Sequence, residues 1–520
     1  MIRQSEQFNP NYAAKVCRID AIEPIAGASR LVHAVLGNDK IITSNDIKVG
    51  DIVIFFPCET VICDEYLSYH NLYEDFTKNR NADIYQSFLD KVEILQGDTN
   101  HDYSTEIAQY LSHLKTMKGF FKNSGRVRML KLMGEYSLGF VVPVQTLEEV
   151  WPSLEQMDWS KHLNEQFDMV NDKVICWKYV PPSKPVKEPK PQRSVVLGFD
   201  RLVPGQFHFH YGTGWLADNL QYFNPWDEID ITIKVHGTSV VISNVLVNRP
   251  LSLWEKIKKF FTGPITPREY GIIYSSRRVI KNRYINSSDF NHPNSEDIHG
   301  CVARDFAQFL SPGMTVYGEI VGYFEGTDKL IQKDHDYGCQ PGCWKFMPYR
   351  ITQTNQYGDV VEWEVDRVMK WTSDLIWRCD GHHQELVDKI LPMQLLYHGR
   401  AGDMYDNLYA RVAAGLSEAE YESEKRRYPS DELPWHLQTP ENYVIHHWRT
   451  AWLDTMRNDT TFLGLEKREP MCKNKVPREG VVIRKCRDKQ AEAFKLKSAA
   501  HYHLEMMQHD AGEADIEEES

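Results

Sequence analysis

A lysine followed by a turn of small residues is the clearest reactive feature of the sequence. Lys234 opens the run Lys234-Val-His-Gly-Thr-Ser239 and directly follows the strand-like segment Asp230-Ile-Thr-Ile233. A lysine fixed at a strand end beside a turn can be held against a nucleotide phosphate, and its deprotonated amine is a nucleophile. Alone, this pattern more often marks an exposed lysine at the start of a hairpin. Three further segments favour the reactive interpretation.

These segments supply carboxylates and cations in a fixed order after Lys234. Val316-Tyr-Gly-Glu-Ile-Val-Gly322 places Glu319 in mid-strand between glycines, which allow close approach of a ligand. Glu479-Gly-Val-Val-Ile-Arg484 puts a second carboxylate at the start of an apolar strand. Ala493-Phe-Lys-Leu-Lys-Ser498 alternates two lysines with apolar residues, so Lys495 and Lys497 project from one strand face. A nucleophile, two carboxylates and two cations in this order indicate chemistry on a phosphate.

Other nucleotide and metal motifs are missing from the sequence or weak. No Gly-Lys dipeptide occurs, which excludes a Walker P-loop, and Gly212-Thr-Gly214 lacks the third glycine of a dinucleotide fingerprint. The Cys339-Gln-Pro-Gly-Cys343 pair has no second ligand pair of suitable spacing nearby. We therefore interpret it as a turn with two free thiols rather than a zinc site.

Composition bounds the class of protein. The chain has 520 residues, 60 Lys and Arg against 73 Asp and Glu, and a formal net charge of −13, which argues against a protein that coats nucleic acid through bulk charge. No apolar segment approaches the roughly 20 residues of a spanning helix, and the N-terminus lacks a secretory h-region. Ten scattered cysteines fit a reducing interior. We expect a cytoplasmic monomer that does not enter a membrane.

The segments that contain these residues predict an α+β fold with two main parts. Residues 1–180 open with short alternating strands separated by glycine turns, which predicts an OB-like β-barrel with a helical or irregular insertion at about 64–115. Five prolines in residues 181–192 predict an extended linker. Residues 193–504 predict a domain of antiparallel sheets with helices and a helical insertion at about 380–460. Residues 505–520 carry seven acidic residues and no Lys or Arg, which indicates a solvated tail.

Taken together, the motifs resemble the covalent nucleotidyltransferase superfamily of ATP-dependent ligases and RNA capping enzymes. The superfamily pattern is K-x-D-G, whereas His236 stands here at the Asp position. This K-x-H-G variant, with an OB-like domain before it, is similar to the Naegleria/Deinococcus-type RNA ligases. Further resemblance lies in Ile47-Lys-Val-Gly-Asp51, Phe207-His-Phe-His-Tyr211 and Ser275-Ser-Arg-Arg-Val-Ile-Lys-Asn282.

The resemblance implies a role for each matching residue. Lys234 would attack the α-phosphate of ATP, form a lysyl-AMP and release pyrophosphate, with Lys495 and Lys497 as catalytic cations on the phosphates. Glu479 would hold Mg²⁺ or Mn²⁺. The ATP site would be lined by Lys234, His236, Gly237, Arg277, Glu319, Phe346, Lys495 and Lys497, with Glu319 on a ribose hydroxyl and Phe346 stacked on adenine. Trp344 and Tyr349 are the alternatives to Phe346.

The implied reaction then passes AMP to an RNA 5′-phosphate, and a 3′-OH attacks to join the ends, as at a nick in a duplex. Local basic runs suit such a partner despite the net charge. The candidates for RNA phosphate contacts are Lys122, Arg126, Arg128, Arg278 and Lys281.

Three alternatives remain open at this point. DNA ligases and capping enzymes share the lysine motif but need a further OB domain, and only 23 residues follow Lys497. A non-catalytic RNA-binding or scaffold protein with a decayed ligase domain would be expected to lack some of the reactive positions, yet all are filled.

Overall fold

The computed structural model describes most of the chain in two compact units, Met1–Pro182 and Ser183–Ser520. The described residues are 1–37, 39–97, 102–117, 119–180, 201–210, 212–249, 251–255, 267–281, 297–379, 383–426, 428, 433–465, 467–485 and 492–510. The proline-rich segment predicted as a linker, 181–192, lies outside them. In the described part of the chain, no helix has the length and hydropathy needed to cross a membrane.

The first unit combines short strands with four α-helices in its described residues. Its strands are β1 (Ile2–Arg3), β2 (Ala14–Arg18), β3 (Ala21–Pro24), β4 (Leu31–Leu36), β5 (Asp39–Ser44), β6 (Ile52–Pro57), β7 (Thr60–Ile62), β8 (Leu130–Leu132), β9 (Glu135–Ser137), β10 (Gly139–Pro143), β11 (Gln166–Phe167), β12 (Met169–Val170), β13 (Lys173–Val174) and β14 (Cys176–Lys178). Its helices are α1 (Asp64–Tyr69), α2 (Ala82–Gly97), α3 (Ser104–Thr116) and α4 (Val144–Val150), with 3-10 turns at Pro10–Tyr12, Phe76–Lys78, Pro152–Leu154 and Trp159–His162.

Antiparallel pairing organises this unit around one main sheet. The main sheet has the order β10-β6-β2-β11, a second has the order β3-β4-β5, and a third has the order β1-β12-β13. Val16, Ile54 and Val142 come from neighbouring strands of the main sheet and pack in the largest core of the unit. No sheet formed by the described residues closes on itself, so the OB-like barrel stays a prediction within a mixed α+β architecture.

The second unit carries the residues singled out by the sequence. Its strands are β15 (Gly214–Trp215), β16 (Glu228–Lys234), β17 (Thr238–Asn248), β18 (Arg268–Ser275), β19 (Met314–Gly322), β20 (Trp344–Thr354), β21 (Val360–Glu362), β22 (Leu395–Arg400), β23 (Gly480–Lys485) and β24 (Glu492–Lys497). Its helices are α5 (Ile298–Phe306), α6 (Val365–Cys379), α7 (Gln384–Val387), α8 (Met404–Gly415), α9 (Glu418–Lys425), α10 (Trp435–Gln438), α11 (Pro440–Arg457) and α12 (Ala499–Asp510), with 3-10 turns at Leu220–Tyr222, Ala307–Phe309 and Ala401–Asp403.

Two five-stranded sheets form the frame of this unit. The lysine sheet has the order β15-β24-β23-β16-β22, and the glutamate sheet has the order β18-β17-β19-β20-β21. All their pairs are antiparallel except β15 with β24. The strand β16 ends at Lys234, and the chain enters the glutamate sheet at Thr238 after three turn residues. The predicted nucleophile therefore lies where one sheet passes into the other.

Alternation along β16 explains why the lysine sheet has one apolar and one polar face. Ile229 and Ile231 pack in a core with Trp448 and Trp452 of α11. That helix begins after Thr439, whose hydroxyl accepts a hydrogen bond from the backbone N–H of Asn442. The intervening residues Asp230, Thr232 and Lys234 project from the opposite face because side chains alternate along a strand.

The segment 380–460, predicted as a helical insertion, is not wholly helical in its described residues. Besides helices it contains β22, which pairs with β16. Its helix α11 supplies large side chains to the apolar core of the lysine sheet. The segment therefore contributes both a strand and core side chains to that sheet.

The acidic segment predicted from residue 505 is partly structured. The helix α12 continues to Asp510, and Glu505 lies within it with its side chain only 14% exposed. Residues 511–520 lie outside the described part of the chain.

Candidate active site

The turn after Lys234 is fixed by backbone contacts. The hydroxyl of Tyr337 accepts a hydrogen bond from the backbone N–H of His236 at 2.6 Å, and the Gln332 side chain donates to the carbonyl of Gly237 at 2.7 Å. A Cβ on Gly237 would lie 2.8 Å from Cγ of Glu319 and still closer to the carbonyl oxygen of Ile320. Only glycine fits there, so the turn can pack directly against the strand that carries Glu319.

Lys234 is held by the buried carboxylate of Glu479. The Nζ of Lys234 lies 2.7 Å from Oε1 of Glu479, and the Nζ of Lys497 lies 3.7 Å from the same oxygen. Burial alone would raise the pKa of Glu479, but the charges of Lys234 and Lys497 outweigh it and lower that pKa to about 2. Glu479 is therefore a permanent anion between two ammonium groups at neutral pH.

Strand register explains why the two lysines converge on this carboxylate. Lys234 pairs with Gly480, and Gly480 pairs with Lys497 on the next strand. A Cβ on Gly480 would come within 2.8 Å of the Cα of Lys497. Because Gly480, which lies between Lys234 and Lys497 across the three strands, has no side chain, both ammonium groups can reach Glu479.

Lys495 lies one position along the same face and has a different environment. Its Nζ is 4.6 Å from the ring centroid of Trp215, its neighbour on β15. Burial, followed by the positive charges of Lys497, Lys234 and Arg277, lowers the pKa of Lys495 to about 7. This part of the site has a surplus of positive charge, which an anionic phosphate chain would neutralise.

The predicted ribose and sugar-edge residues border the same turn. Glu319 is 6% exposed and accepts a hydrogen bond from the Ser239 hydroxyl at 3.3 Å. Arg277 follows β18 and is half-buried, and its charge acts on Lys495. The structure thus brings together Lys234, Gly237, Arg277, Glu319, Glu479, Lys495 and Lys497.

Phe346 does not belong to this group, which corrects the predicted adenine stack. It is fully buried in the apolar core of the glutamate sheet, with its ring centroid 5.3 Å from that of Phe306. Trp344 has the same orientation and packs in the same core. Met347 pairs with Glu319 in the strand register and shares its face. Met347 is therefore an apolar residue beside the candidate ribose site.

The His236 ring faces the interior rather than open surface. It packs edge-on against His335 and His501, with ring centroids 4.9 Å and 4.8 Å away. Burial, followed by the charge of His236, lowers the pKa of His335 to about 4. Burial also holds the pKa of His501 well below its ordinary value. These three histidine rings pack together on the inner side of the turn after Lys234, so we interpret His236 as a residue that positions this turn.

The candidate RNA contacts divide into exposed and buried side chains. Lys122 and Arg278 are exposed, and Arg128 and Lys281 are half-buried. Arg126 is different: its side chain is fully buried, and its Nε donates to Glu59 at 3.0 Å. A guanidinium buried against a carboxylate is not available to a phosphate, so the prediction for Arg126 is wrong.

A divalent cation fits this site through Glu479. Its Oε2 atom is buried and has no hydrogen-bond partner among the described residues, and a carboxylate oxygen is a preferred ligand of Mg²⁺ and Mn²⁺. No group of three or more His, Cys, Asp or Glu side chains in the described ranges is arranged to hold a metal. The remaining ligands would be water and phosphate oxygens, as is usual for Mg²⁺ at nucleotide sites.

Sequence reasoning missed the residues that arrive from distant segments. Tyr337 and Gln332 have no recognisable motif. Glu505 and His501 do leave a signal, since their spacing of four places them on one helix face directly after the lysine strand. The acidic composition of the last residues obscured it.

Comparisons with known proteins give low similarity. No protein-family model matches the chain, and no curated protein is significantly similar to it. Among solved structures, it is similar to Naegleria gruberi RNA ligase with pyrophosphate, at 13% identity and a TM-score of 0.46, over 96% of this chain and 100% of that one. A mutant of that ligase with ATP and manganese gives 13% identity and 0.45, over 95% and 98%. Another with AMP and manganese gives 14% identity and 0.44, also over 95% and 98%.

Proposed function

We propose that this chain is an ATP-dependent RNA ligase that joins 3′-OH and 5′-phosphate ends through a lysyl-AMP and an RNA-adenylate. The observation that carries the proposal is the position of Lys234, 2.7 Å from Glu479 on a face that also presents Lys495 and Lys497. One amine, one buried anion and surplus cations form a site that fits phosphoryl transfer to lysine.

In the first step, the Lys234 ammonium gives a proton to solvent and its neutral Nζ attacks the α-phosphorus of ATP. A P–N bond forms, the bond from the α-phosphorus to the oxygen bridging to the β-phosphate breaks, and pyrophosphate leaves. The nitrogen then releases a second proton to solvent. Lys495 and Lys497 neutralise charge on the phosphate oxygens. Arg277 faces the sugar or phosphate edge, and Glu319 accepts a hydrogen bond from a ribose hydroxyl. A divalent cation at Glu479 would compete with Lys234 for that carboxylate and add positive charge at the phosphates.

In the second step, an oxygen of the RNA 5′-phosphate attacks the lysyl-AMP phosphorus, the P–N bond breaks, and Lys234 takes up a proton. In the third, the 3′-OH attacks the 5′-phosphate, a phosphodiester forms, and AMP leaves. We propose nicked duplexes with RNA on the 3′-OH side as substrates. Lys122, Arg128, Arg278 and Lys281 are the candidate phosphate contacts.

The first experiment tests lysine adenylation. Wild type and Lys234→Ala are incubated with ATP labelled at the α-phosphate, with and without Mg²⁺ or Mn²⁺, and with labelled GTP in parallel. Lys475→Ala, which removes an exposed lysine shortly before Glu479, is the matched control. We expect metal-dependent, acid-labile labelling from ATP in wild type and the control, and none in Lys234→Ala. Equal labelling of Lys234→Ala would refute the assignment, and preference for GTP would indicate a capping-type enzyme.

The second experiment tests the substrate. The labelled protein is mixed with nicked duplexes that carry RNA or DNA on each side of the nick. We expect sealing whenever the 3′-OH strand ends in RNA. Sealing of all-DNA nicks alone would indicate a DNA ligase, and labelling without any sealing would contradict a ligase function.

A further inference from the structure

The C-terminal helix α12 is attached directly to the strand that carries the site lysines. Only Ser498 separates Lys497 from the helix. Its backbone N–H donates to the carbonyl of Glu479 at 2.9 Å, and its hydroxyl accepts the backbone N–H of His501 at 3.2 Å. The start of the helix is thereby fixed to both the lysine strand and the segment that holds the buried carboxylate.

One turn after His501, Glu505 reaches back to Lys497. Both of its carboxylate oxygens accept hydrogen bonds from the Nζ of Lys497, at 3.1 Å and 2.8 Å. The two side chains are only 14% and 13% exposed. Burial makes this pair more constrained than a surface ion pair, whose partners exchange readily with water.

The charge of Glu505 persists although the group is buried. Burial alone would raise its pKa, but the charge of Lys497 and its hydrogen bonds hold the pKa of Glu505 well below its ordinary value. Lys497 therefore lies between two anions, Glu505 at 2.8 Å and Glu479 at 3.7 Å. Lys495 forms no ion pair among the described residues and faces Trp215 instead.

We propose that Glu505 is a positioning residue for AMP transfer: through its two hydrogen bonds it holds the Nζ of Lys497 beside Glu479, so that one cation of the phosphate site stays fixed. This role rests on the proposed function of the site. Among the described residues, the hydrogen bonds of the Glu505 side chain go to Lys497 and to none of the residues proposed to face the base or the sugar. Its effect should therefore appear in the rate of AMP transfer more than in nucleotide affinity.

The test compares Glu505→Gln with wild type in the full-length chain. Single-turnover labelling with α-labelled ATP gives the rate of AMP transfer at saturating nucleotide. Titration of ATP into Lys234→Ala and into the double variant Lys234→Ala, Glu505→Gln gives the ATP affinity with and without Glu505. We expect the rate to fall roughly tenfold while the affinity changes less than about threefold.

A matched control is available in the other unit. Glu65 binds Lys173 with both oxygens at 3.1 Å and 2.9 Å, the same arrangement on an exposed surface. Glu65→Gln should label at the wild-type rate. Glu505→Asp, which keeps the carboxylate on a shorter side chain, should recover part of the lost rate.

The outcomes separate this role from the proposed function. A wild-type protein that takes up no AMP would refute the proposed function and this role together. If wild type labels and Glu505→Gln labels at the same rate, the role of Glu505 alone is refuted. A loss of rate with an equal loss of ATP affinity, a lowered melting temperature and no recovery in Glu505→Asp would assign Glu505 to folding and also overturn the proposal.

Discussion

Two clusters of charged side chains in the second unit contain similar residues but differ in their ratio of positive to negative charges. In the first, Arg304 and Lys389 face Asp305 and Glu325, with contacts of 2.7 Å, 2.9 Å, 2.6 Å and 3.4 Å. Each of these cations contacts both carboxylates, so two positive charges meet two negative charges. We call this group the balanced network.

In the lysine site the charges do not balance. Four cations, Lys234, Lys495, Lys497 and Arg277, lie in a region that holds the three carboxylates Glu319, Glu479 and Glu505. Lys495 has no carboxylate within ion-pair distance among the described residues, and burial lowers its pKa to about 7. In the balanced network, by contrast, the hydrogen bond to Asp305 raises the pKa of Arg304.

This difference separates charges that stabilise the fold from charges that await a ligand. A buried cation without a partner costs free energy in the folded state. Such a group is tolerated where a ligand of opposite charge later neutralises it, which is typical of functional sites. The following predictions test the contrast in order of effect.

Replacing Lys495 should have the largest effect of this series on chemistry. Lys495→Met removes a cation from the phosphate site and should lower the rate of lysine labelling by at least about a hundredfold. The same change removes a desolvated charge, so the free energy of unfolding should rise by about 1 kcal/mol at pH 6. Labelling kinetics and chemical denaturation measure the two effects. A variant that is both active and destabilised would contradict the contrast.

A second prediction uses two glutamates, Glu319 beside the lysine turn and Glu325 in the balanced network. Glu319→Gln weakens the hydrogen bond that a ribose hydroxyl would donate to this side chain, and it should slow labelling about tenfold with little change in the free energy of unfolding. Glu325→Gln should leave labelling within twofold of wild type and lower the melting temperature, because Arg304 and Lys389 lose a shared anion. Comparable slowing in both variants would show that Glu319 acts through the fold.

Lys389→Met provides the third prediction, as the counterpart of Lys495→Met. It leaves Asp305 and Glu325 with one cation fewer and should lower the free energy of unfolding by about 1 to 2 kcal/mol. Labelling should stay within twofold of wild type when measured well below the melting temperature. Loss of labelling in a folded Lys389→Met protein would mean that the network contributes to the site.

The fourth prediction concerns pH and is the smallest effect. The folded pKa of Lys495 is about 7 against an ordinary value of 10.5, so the unfolded chain binds more protons between these values. The contribution of Lys495 to stability should therefore rise with pH above 7, by at most about 1.4 kcal/mol per pH unit. The advantage of Lys495→Met over wild type in free energy of unfolding should shrink to zero as the pH rises above 7, and it should reverse in sign before pH 9. A constant advantage would contradict the lowered pKa.

Much of the site could be predicted from sequence because its residues lie within strands or directly beside them. Lys234, Glu319, Glu479 and the two lysines of β24 lie at positions where alternation determines which side chains share a face. The structure brings them together as this pattern predicts, apart from Glu505, which composition assigned to a tail.

The errors have physical causes of two kinds. In β20 both alternating sets contain apolar or aromatic residues, so the sequence does not tell which face Phe346 occupies. The answer depends on the register with β19, which shifts between Tyr317 and Gly318. Arg126 looks like its basic neighbours, but its partner Glu59 is 67 positions away, and local composition carries no information about such a contact.

The central claim is that one particular lysine becomes covalently adenylated. It is tested most directly by incubating the wild-type protein with ATP and Mn²⁺, digesting it, and locating the added adenylate by tandem mass spectrometry. We predict that the modification lies on Lys234 alone, and that Lys495 and Lys497 are recovered unmodified. An adenylate on Lys495 or Lys497, or a protein that carries none while pyrophosphate is released, would contradict the account.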